Sequence, residues 1–416
     1  MTITGIIAEY NPFHIGHAYH LNKARELTRA DYLVVVMSGD FVQRGEPAII
    51  DKYYRTQMAL ECGADLVLEL PVIYSTAGGE DFANGAVALL HHLGTINTIC
   101  FGSESGQIDP ILSAAKFLDH LSPKTEQCIR DHLKSGRSYP AAVAEAIRST
   151  EYIDTEYSQL ISSPNNMLGI EYCRALSRLS SAIKPMTIRR QGSYHDAFTD
   201  ISSAPFASAS ALRSCFSKNS GTDGLDQIRP YVPPIVTNLL QNACGHSFPM
   251  TADDFTDALL LRLLEHSHDS LSGISDMSND LAARVLKALP SAHSFTNLAE
   301  AIKCKSYTRL RINRALLHTL LGITDRLANE AKSTGYTHYG RILGYREKAK
   351  PLLSELYRAS SVPLICQPAQ DNINLSEIGK QFFALDTFAA ELYRLTAQRK
   401  FGHPLTEEYR QKLLIC

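Results

Sequence analysis

The first twenty residues constrain the fold of this 416-residue chain more than any other segment. An apolar run from Ile3 to Ala8 is typical of a buried strand, and Asn11-Pro12 ends it because proline has a fixed φ and no N–H donor. The segment His14-Ile15-Gly16-His17 then predicts a helix start, with two imidazoles on one face of the first turn. Unpaired N–H groups and the helix dipole attract anions there, and Gly16 would let a phosphate approach the backbone. The segment therefore predicts a strand–turn–helix unit that binds phosphate.

The His-x-Gly-His pattern at residues 14–17 resembles the signature of the nucleotidylyltransferase superfamily. In those enzymes a nucleophile attacks the α-phosphate of a nucleoside triphosphate, and pyrophosphate leaves. Two histidines and helix-end amides suit this chemistry because they can stabilise the charge that grows in the transition state. We therefore expect His14 and His17 to be catalytic. The alternative is that they serve only as a helix cap and as a buried core histidine.

Apolar runs and helical patterns alternate along the first half of the chain, which predicts an α/β fold. A helix from about residue 16 to 29 leads into a β-branched run at residues 33–37, so that strand, helix and strand form a βαβ unit. Such units wind right-handed and bind ligands beyond the carboxyl ends of their strands. Further strands are predicted at residues 65–71, 98–101 and, at the sheet edge, 184–190. The predicted architecture is a Rossmann-like parallel-sheet nucleotidylyltransferase domain.

Several polar segments lie near these strands and are candidates for ligand contacts. Gly102 follows the strand at 98–101, and two arginines end the edge strand, where their forked guanidinium groups suit phosphate. A serine-bearing segment at 206–213 places hydroxyls before a helix, and it resembles the second motif of the same superfamily. The loop at 41–48 is either functional or a surface turn. Lys52 and Arg55, at the next helix start, face either an anionic ligand or solvent.

The second half of the chain is predicted to be mainly α-helical. A polar, glycine-bearing segment at 217–224 marks a domain boundary, so we expect domains at 1–216 and 217–416. The densest basic segment lies in the second domain, where twelve residues hold one tyrosine and five cations: Lys303, Lys305, Arg309, Arg311 and Arg314. Such segments bind phosphate backbones, although a solvated helix face gives the same pattern. Residues 336–345 are predicted to form a second polar-aromatic loop.

Composition sets further bounds on the function. The net charge is −2 and 44% of residues are hydrophobic, so a nucleic-acid partner has to be argued from a local patch. The sequence shows neither a membrane-spanning apolar run nor a signal pattern. Its nine cysteines are scattered singly, which favours reduced thiols in a cytoplasmic protein and indicates no metal site.

Motifs along most of the chain resemble those of the bacterial tRNA(Met) cytidine acetate ligase family. The motifs are Gly5 to His17, Gln43-Arg44-Gly45-Glu46-Pro47, Gly63-Ala64-Asp65-Leu66 with Glu69-Leu70-Pro71, Pro164-Asn165-Asn166 and Tyr194-His195-Asp196. The resemblance is tight up to about Arg213 and looser beyond it. It implies an ATP-dependent enzyme that activates acetate as acetyl-adenylate and acetylates N4 of the wobble cytidine of elongator tRNA(Met).

The resemblance also implies where the ligands bind. Its ATP site maps onto Ile7, Ala8, Glu9, Tyr10, Asn11, Pro12, Phe13, His14, Ile15, Gly16, His17, His20, Gly102, Asn165, Asn166, Arg189 and Arg190. Whether Asn165, Asn166 or both contact ATP stays open. ATP would bind with Mg²⁺, the five-cation segment would hold the tRNA, and no protein partner is implied.

Two other functions remain open from the sequence. A nucleotidylyltransferase that adenylylates a small phosphorylated metabolite would explain the first half but leave about 200 helical residues without a role. A nucleotide-sensing RNA-binding protein with a decayed active site is the non-enzymatic alternative. The intact His14 and His17 argue against that alternative.

Overall fold

The computed structural model describes residues 1–137, 139–150, 155–190, 207–218 and 221–416. Tyr194, His195, Asp196 and the first residue of the serine-bearing segment lie outside the described residues. Within the described ranges the chain folds into a central sheet with helices on both faces and a mainly helical second half. This is the predicted α/β class.

The strands of the described part are β1 Ile3–Ala8, β2 Tyr32–Ser38, β3 Phe41–Val42, β4 Glu46–Pro47, β5 Leu66–Leu70, β6 Thr98–Ser103, β7 Lys184–Arg189, β8 Gly340–Tyr345, β9 Leu364–Ile365 and β10 Leu414–Ile415.

The α-helices of the first half are α1 Ile15–Thr28, α2 Lys52–Glu61, α3 Val72–Ser75, α4 Gly79–His92, α5 Ile108–Leu118, α6 Pro123–Lys134, α7 Tyr139–Thr150, α8 Thr155–Ser162, α9 Pro164–Arg178 and α10 Ala209–Lys218. Those of the second half are α11 Gly221–Ile228, α12 Pro234–Ala243, α13 Thr256–Leu264, α14 His268–Ser272, α15 Asn279–Ala288, α16 Phe295–Ala301, α17 Arg309–Leu321, α18 Asp325–Ser333, α19 Lys350–Ala359, α20 Pro368–Asp371 and α21 Glu377–Phe401.

Five strands of the first half pair in parallel, in the order β5-β2-β1-β6-β7. All five were expected from the sequence, and β7 lies at the edge as predicted. The run from Leu33 to Met37 in β2 is fully buried because helices cover both faces of the sheet. In this arrangement the carboxyl ends of β1, β6 and β7 lie side by side, next to the amino end of α1.

The sheet also contains strands from the second half of the chain. β8 pairs antiparallel with β5, while β9 and β10 pair with β8. The prediction of a loop at 336–345 is therefore wrong for its last six residues. Glycines and an arginine made this segment look exposed, but Gly340 and Gly344 sit against neighbouring side chains and Arg341 is buried among acids. The boundary after residue 216 stays a prediction.

The second half otherwise consists mostly of helices, as expected. The longest, α21, packs against α3 and α17, and it joins the first half through Tyr393, whose hydroxyl donates to the carbonyl of Ala48 at 2.8 Å. None of the helices in the described ranges has the length and apolar character needed to cross a membrane.

Candidate active site

A cavity of about 290 Å³ opens at the carboxyl ends of β1, β6 and β7. Twelve of the predicted ATP-site residues line it: Ile7, Ala8, Glu9, Tyr10, His14, Gly16, His17, His20, Gly102, Asn165, Arg189 and Arg190. The structure thus brings together residues from four separate segments of the chain. Which of these residues contact a ligand stays a prediction.

The two histidines of the signature form a reciprocal cap at the start of α1. His14 is the N-cap residue, and its Nδ1 accepts from the Gly16 N–H at 3.1 Å. His17 Nδ1 in turn accepts from the His14 N–H at 3.2 Å, and the rings stack with centroids 3.7 Å apart. The two histidines therefore do cap the helix, as the alternative interpretation predicted, but both rings also line the cavity. One pair of side chains can shape the helix end and face a ligand.

These contacts also set the protonation of the two rings. Burial, helped by the nearby Arg190 charge, lowers the pKa of His14 to about 3. Burial and the neighbouring His14, Arg190 and His20 lower the pKa of His17 well below its usual value. Because Nδ1 of each neutral ring accepts a hydrogen bond, the proton lies on Nε2. Both histidines therefore offer an Nε2–H donor to an anion at neutral pH.

His20 completes the histidine cluster one turn further along α1. It lines the cavity, and its Nε2 is buried without a hydrogen-bond partner among the described residues. Burial and Arg190 lower the pKa of His20 to about 4. A buried polar atom of this kind is costly unless a ligand or water satisfies it.

Four residues of the predicted signature do not line the cavity but support the turn that holds it. Asn11 Oδ1 accepts from the Ile49 N–H at 2.8 Å, and the Asn11–Pro12 peptide is cis. Phe13 is fully buried and packs against Tyr10 and His17. Ile15 is the first helical residue of α1.

The two asparagines of α9 have different surroundings. Asn165 lines the cavity, and its Oδ1 accepts from Arg190 Nη1 at 3.1 Å. Its Nδ2 donates to Glu104 Oε1 at 2.7 Å, which fixes the orientation of the amide. Asn166 is buried away from the cavity, where its Oδ1 accepts from the Ser105 N–H. Geometry alone therefore separates the two residues that the sequence left equivalent.

Glu104 links this part of the cavity to the start of α9. Besides the Asn165 side chain, its carboxylate accepts from the backbone N–H groups of Asn165 and Asn166 at 3.1 and 2.7 Å. A carboxylate at a helix amino end is stabilised by those donors and by the dipole. Glu104 thereby holds Asn165, and through it Arg190, at the edge of the cavity.

Further lining residues come from two loops whose sequences suggested ligand contacts, although none of their residues was predicted to belong to the ATP site. Gln43 and Arg44 lie at the tip of the β3–β4 hairpin. Ser208, Ser210 and Arg213 lie around the start of α10. Hydroxyls before a helix and an arginine one turn later were the available signal for the second loop.

The apolar wall of the cavity could not be recognised from local patterns, because its side chains look like ordinary core residues. Its members are Phe82, Phe101, Leu168, Tyr172 and Ile188. They come from α4, β6, α9 and β7, which only the tertiary fold brings together. An apolar wall facing polar groups is typical of a nucleotide pocket.

Lys52 and Arg55 face neither of the expected environments. Lys52 is buried and pairs with Glu69 and Glu408 at 2.8 and 2.7 Å. Arg55 is also buried and donates to the carbonyls of Ile50, Glu9, Ser38 and Gly39. Both are structural, and Arg55 braces the loops on which Glu9 and the β2 end stand.

The five-cation segment lies at and before the start of α17. Lys303 and Lys305 are exposed, and Arg309 pairs with Glu300. Arg311 stacks over Tyr307, whereas Arg314 is mostly buried and pairs with Asp276 at 2.8 Å. The five cations therefore differ in their exposure and in how strongly they are paired within the protein.

The sheet topology and the His-x-Gly-His helix start together define a nucleotidyl transferase. A family model described as HIGH Nucleotidyl Transferase matches residues 1–407. A protein of Thermoanaerobacter sp. (strain X514) named tRNA(Met) cytidine acetate ligase is 38% identical over 413 residues, covering 97% of this chain and 99% of its own length. A protein of the same name from Acetivibrio thermocellus is 34% identical and covers both chains fully. The chain belongs to the tRNA(Met) cytidine acetate ligase family.

Solved structures agree with this assignment. Thermotoga maritima TmcAL bound with alpha-thio ATP has a TM-score of 0.87 and 28% sequence identity, with full coverage of both chains. The apo form of the same protein has a TM-score of 0.88 at the same identity, covering 100% of this chain and 99% of that one. The similarity spans the helical second half as well as the sheet.

Proposed function

We propose that the protein activates acetate with ATP and transfers the acetyl group to N4 of the wobble cytidine of elongator tRNA(Met). The observation that carries the proposal is a cavity lined by the signature histidines, in a chain related over its whole length to enzymes named for this reaction. An apolar wall and an arginine-rich rim suit the base and the phosphates of ATP. A cytoplasmic location is part of the proposal.

In the first step, an acetate oxygen attacks the α-phosphorus of ATP, the bond to the bridging oxygen breaks and pyrophosphate leaves. The Nε2–H groups of His14 and His17 would donate to the α-phosphate and stabilise its growing charge. Ser208, Ser210 and Arg213, at the start of α10, would hold the departing pyrophosphate. Asn165 and Arg190, held by Glu104, would position the nucleotide.

In the second step, N4 of cytidine attacks the acetyl carbonyl carbon, the bond to AMP oxygen breaks and N4 loses a proton. The cytidine must leave its stack to reach the adenylate, which an anticodon loop permits. The five cations at and before the start of α17 would hold the tRNA backbone.

Mg²⁺ would accompany ATP and offset part of the charge of its phosphates. Among the residues that the structure describes, no three His, Cys, Asp or Glu side chains are grouped so that they could hold a metal ion.

The test is incubation with ATP, magnesium and labelled acetate, with and without bacterial tRNA, followed by nucleoside analysis. The wild type should form labelled N4-acetylcytidine, whereas the variant His14→Asn/His17→Ala should not. Asparagine at position 14 retains a capping acceptor for α1. A His266→Ala/His268→Ala variant, which alters two histidines that do not line the cavity, is the matched control. Pyrophosphate release without labelled RNA would contradict the acceptor, and no pyrophosphate release would contradict the activation step.

A further inference from the structure

The β3–β4 hairpin lines the cavity on one side and contacts α17 on the other. Gly45 at the hairpin tip has a φ of 73°, and a Cβ there would overlap the backbone of Asn313 and Arg314. Glu46 Oε1 accepts from Asn313 Nδ2 at 3.2 Å. Arg44, which lines the cavity, therefore stands beside the helix that carries Arg311 and Arg314.

The other end of the basic segment touches the helical insertion between β6 and β7. Gly136, in the α6–α7 turn, has a φ of 85°, and a Cβ there would overlap the Lys305 carbonyl. Lys134 and Arg137 flank this contact, with 77% and 47% of their side chains exposed. Two cations of the first half thus lie next to a basic segment of the second half.

These two contacts place five cations along one path, which we call the basic strip: Arg44, Arg311, Lys305, Arg137 and Lys134. Arg314, mostly buried against Asp276, supports the strip from below. Lys134 and Arg137 each pair with a neighbouring acid on their own helical hairpin, Asp131 at 3.9 Å and Glu145 at 3.4 Å. Exposed pairs of this kind hold their partners weakly, so a polyanion can compete for the cations.

We propose that the basic strip binds the RNA backbone next to the reacting nucleotide, and that the α6–α7 turn is its outer end. This inference rests on the proposed function. A base in the cavity leaves its neighbouring phosphates at the mouth, where the strip begins at Arg44. Lysine and arginine along a path bind phosphates without reading sequence, so the strip would position the RNA while the cavity selects the base.

The test is the affinity of a Lys134→Ala/Arg137→Ala variant for an elongator tRNA(Met) transcript, measured across a salt series. We expect roughly a tenfold loss of affinity for tRNA at 0.1 M salt. The negative slope of log affinity against log salt should become shallower by about 1.5, because two phosphate contacts are lost. Acetate-dependent ATP–pyrophosphate exchange without tRNA should keep its wild-type rate. The variant Lys134→Arg/Arg137→Lys should retain tRNA binding because it keeps both charges.

The matched control is Lys350→Ala/Arg358→Ala, which removes two exposed cations of α19 that are also paired within their own helical segment. The control should bind tRNA like the wild type. If the wild type binds tRNA and the Lys134→Ala/Arg137→Ala variant has the same affinity and slope, the proposal of the basic strip is wrong and the proposed function is unaffected. Failure of the wild type to bind this tRNA would overturn the proposed function together with the basic strip.

Discussion

Lys52 Nζ lies 2.7 Å from Glu408 Oε1 inside the protein, although 356 residues separate them in the sequence. The same ammonium group contacts Glu69, and Arg341 of β8 contacts Glu408 at 2.9 Å. The network thus joins α2, β5, β8 and the carboxyl-terminal region. Lys52→Met should destabilise the fold by about 3–5 kcal/mol, because it leaves two buried carboxylates, Glu69 and Glu408, against the single charge of Arg341.

Urea unfolding followed by circular dichroism measures this loss. Lys380→Ala is the control, since Lys380 pairs with Glu377 on the exposed side of α21 and such pairs contribute little. Equal midpoints for the two variants would contradict the importance of the buried network.

The free protein should keep His14 and His17 neutral well below the usual histidine pKa. Their pKa values are lowered by burial, so the unfolded chain takes up protons first as the pH falls below about 6.5, and the contribution of these residues to stability decreases towards acid. Histidine ¹⁵N spectra should show the Nε2–H tautomer for both rings and no titration between pH 8 and 5.5. His268, exposed and with a raised pKa, should titrate in the same spectra. A midpoint near 6.5 for either signature histidine would refute the expectation.

Substitution should separate the two asparagines of α9. Asn165→Ala should raise the KM for ATP roughly tenfold with little change in Tm, because Asn165 lines the cavity and holds Arg190. Asn166→Ala should instead lower Tm, because its buried side chain satisfies the Ser105 N–H. Steady-state kinetics and thermal unfolding on both variants give the comparison, and the opposite assignment of the two effects would contradict the geometry.

The contact between Gly45 and α17 should be sensitive to a single methyl group. Gly45→Ala combines a left-handed backbone, which costs about 1–2 kcal/mol, with overlap against the helix backbone. Gly322→Ala is the matched control, since Gly322 also has a positive φ, of 75°, but open space around its Cβ position. We expect a clearly larger loss of stability and a raised KM for ATP in Gly45→Ala alone. Equal behaviour of the two variants would mean that the hairpin can move away from α17 without cost.

The sequence predicted those parts of the fold that depend on short-range patterns. The strand from Ile3 to Ala8, the turn at Asn11-Pro12 and the start of α1 each carry a local signal, and all three lie where expected. The parallel strands of the first half followed from β-branched and apolar runs between breakers. Residue spacing also indicated that His14 and His17 share one face, which the stacked rings confirm.

The remainder depended on long-range contacts that no window of sequence contains. The residues next to Arg341 in the sequence suggest an exposed loop, whereas in the fold Arg341 is paired with Glu69 and Glu408. The position of Lys52 at a helix start suggests a phosphate ligand, whereas in the fold Lys52 is paired with Glu69. Buried charges are stable only when partners from distant segments compensate them, so their surroundings cannot be predicted from neighbouring residues. The distinction between Asn165 and Asn166 likewise needed the position of Glu104.

The pairing of β8 with β5 has a consequence for folding during translation. Gly340 follows Leu70 by about 270 residues, so at about 5–20 residues per second the edge of β5 stays uncovered for on the order of tens of seconds during translation. An open, apolar strand edge is a template for pairing with other chains. Nascent copies of this protein on one messenger RNA should therefore need a chaperone to cover that edge until its final partner has been synthesised.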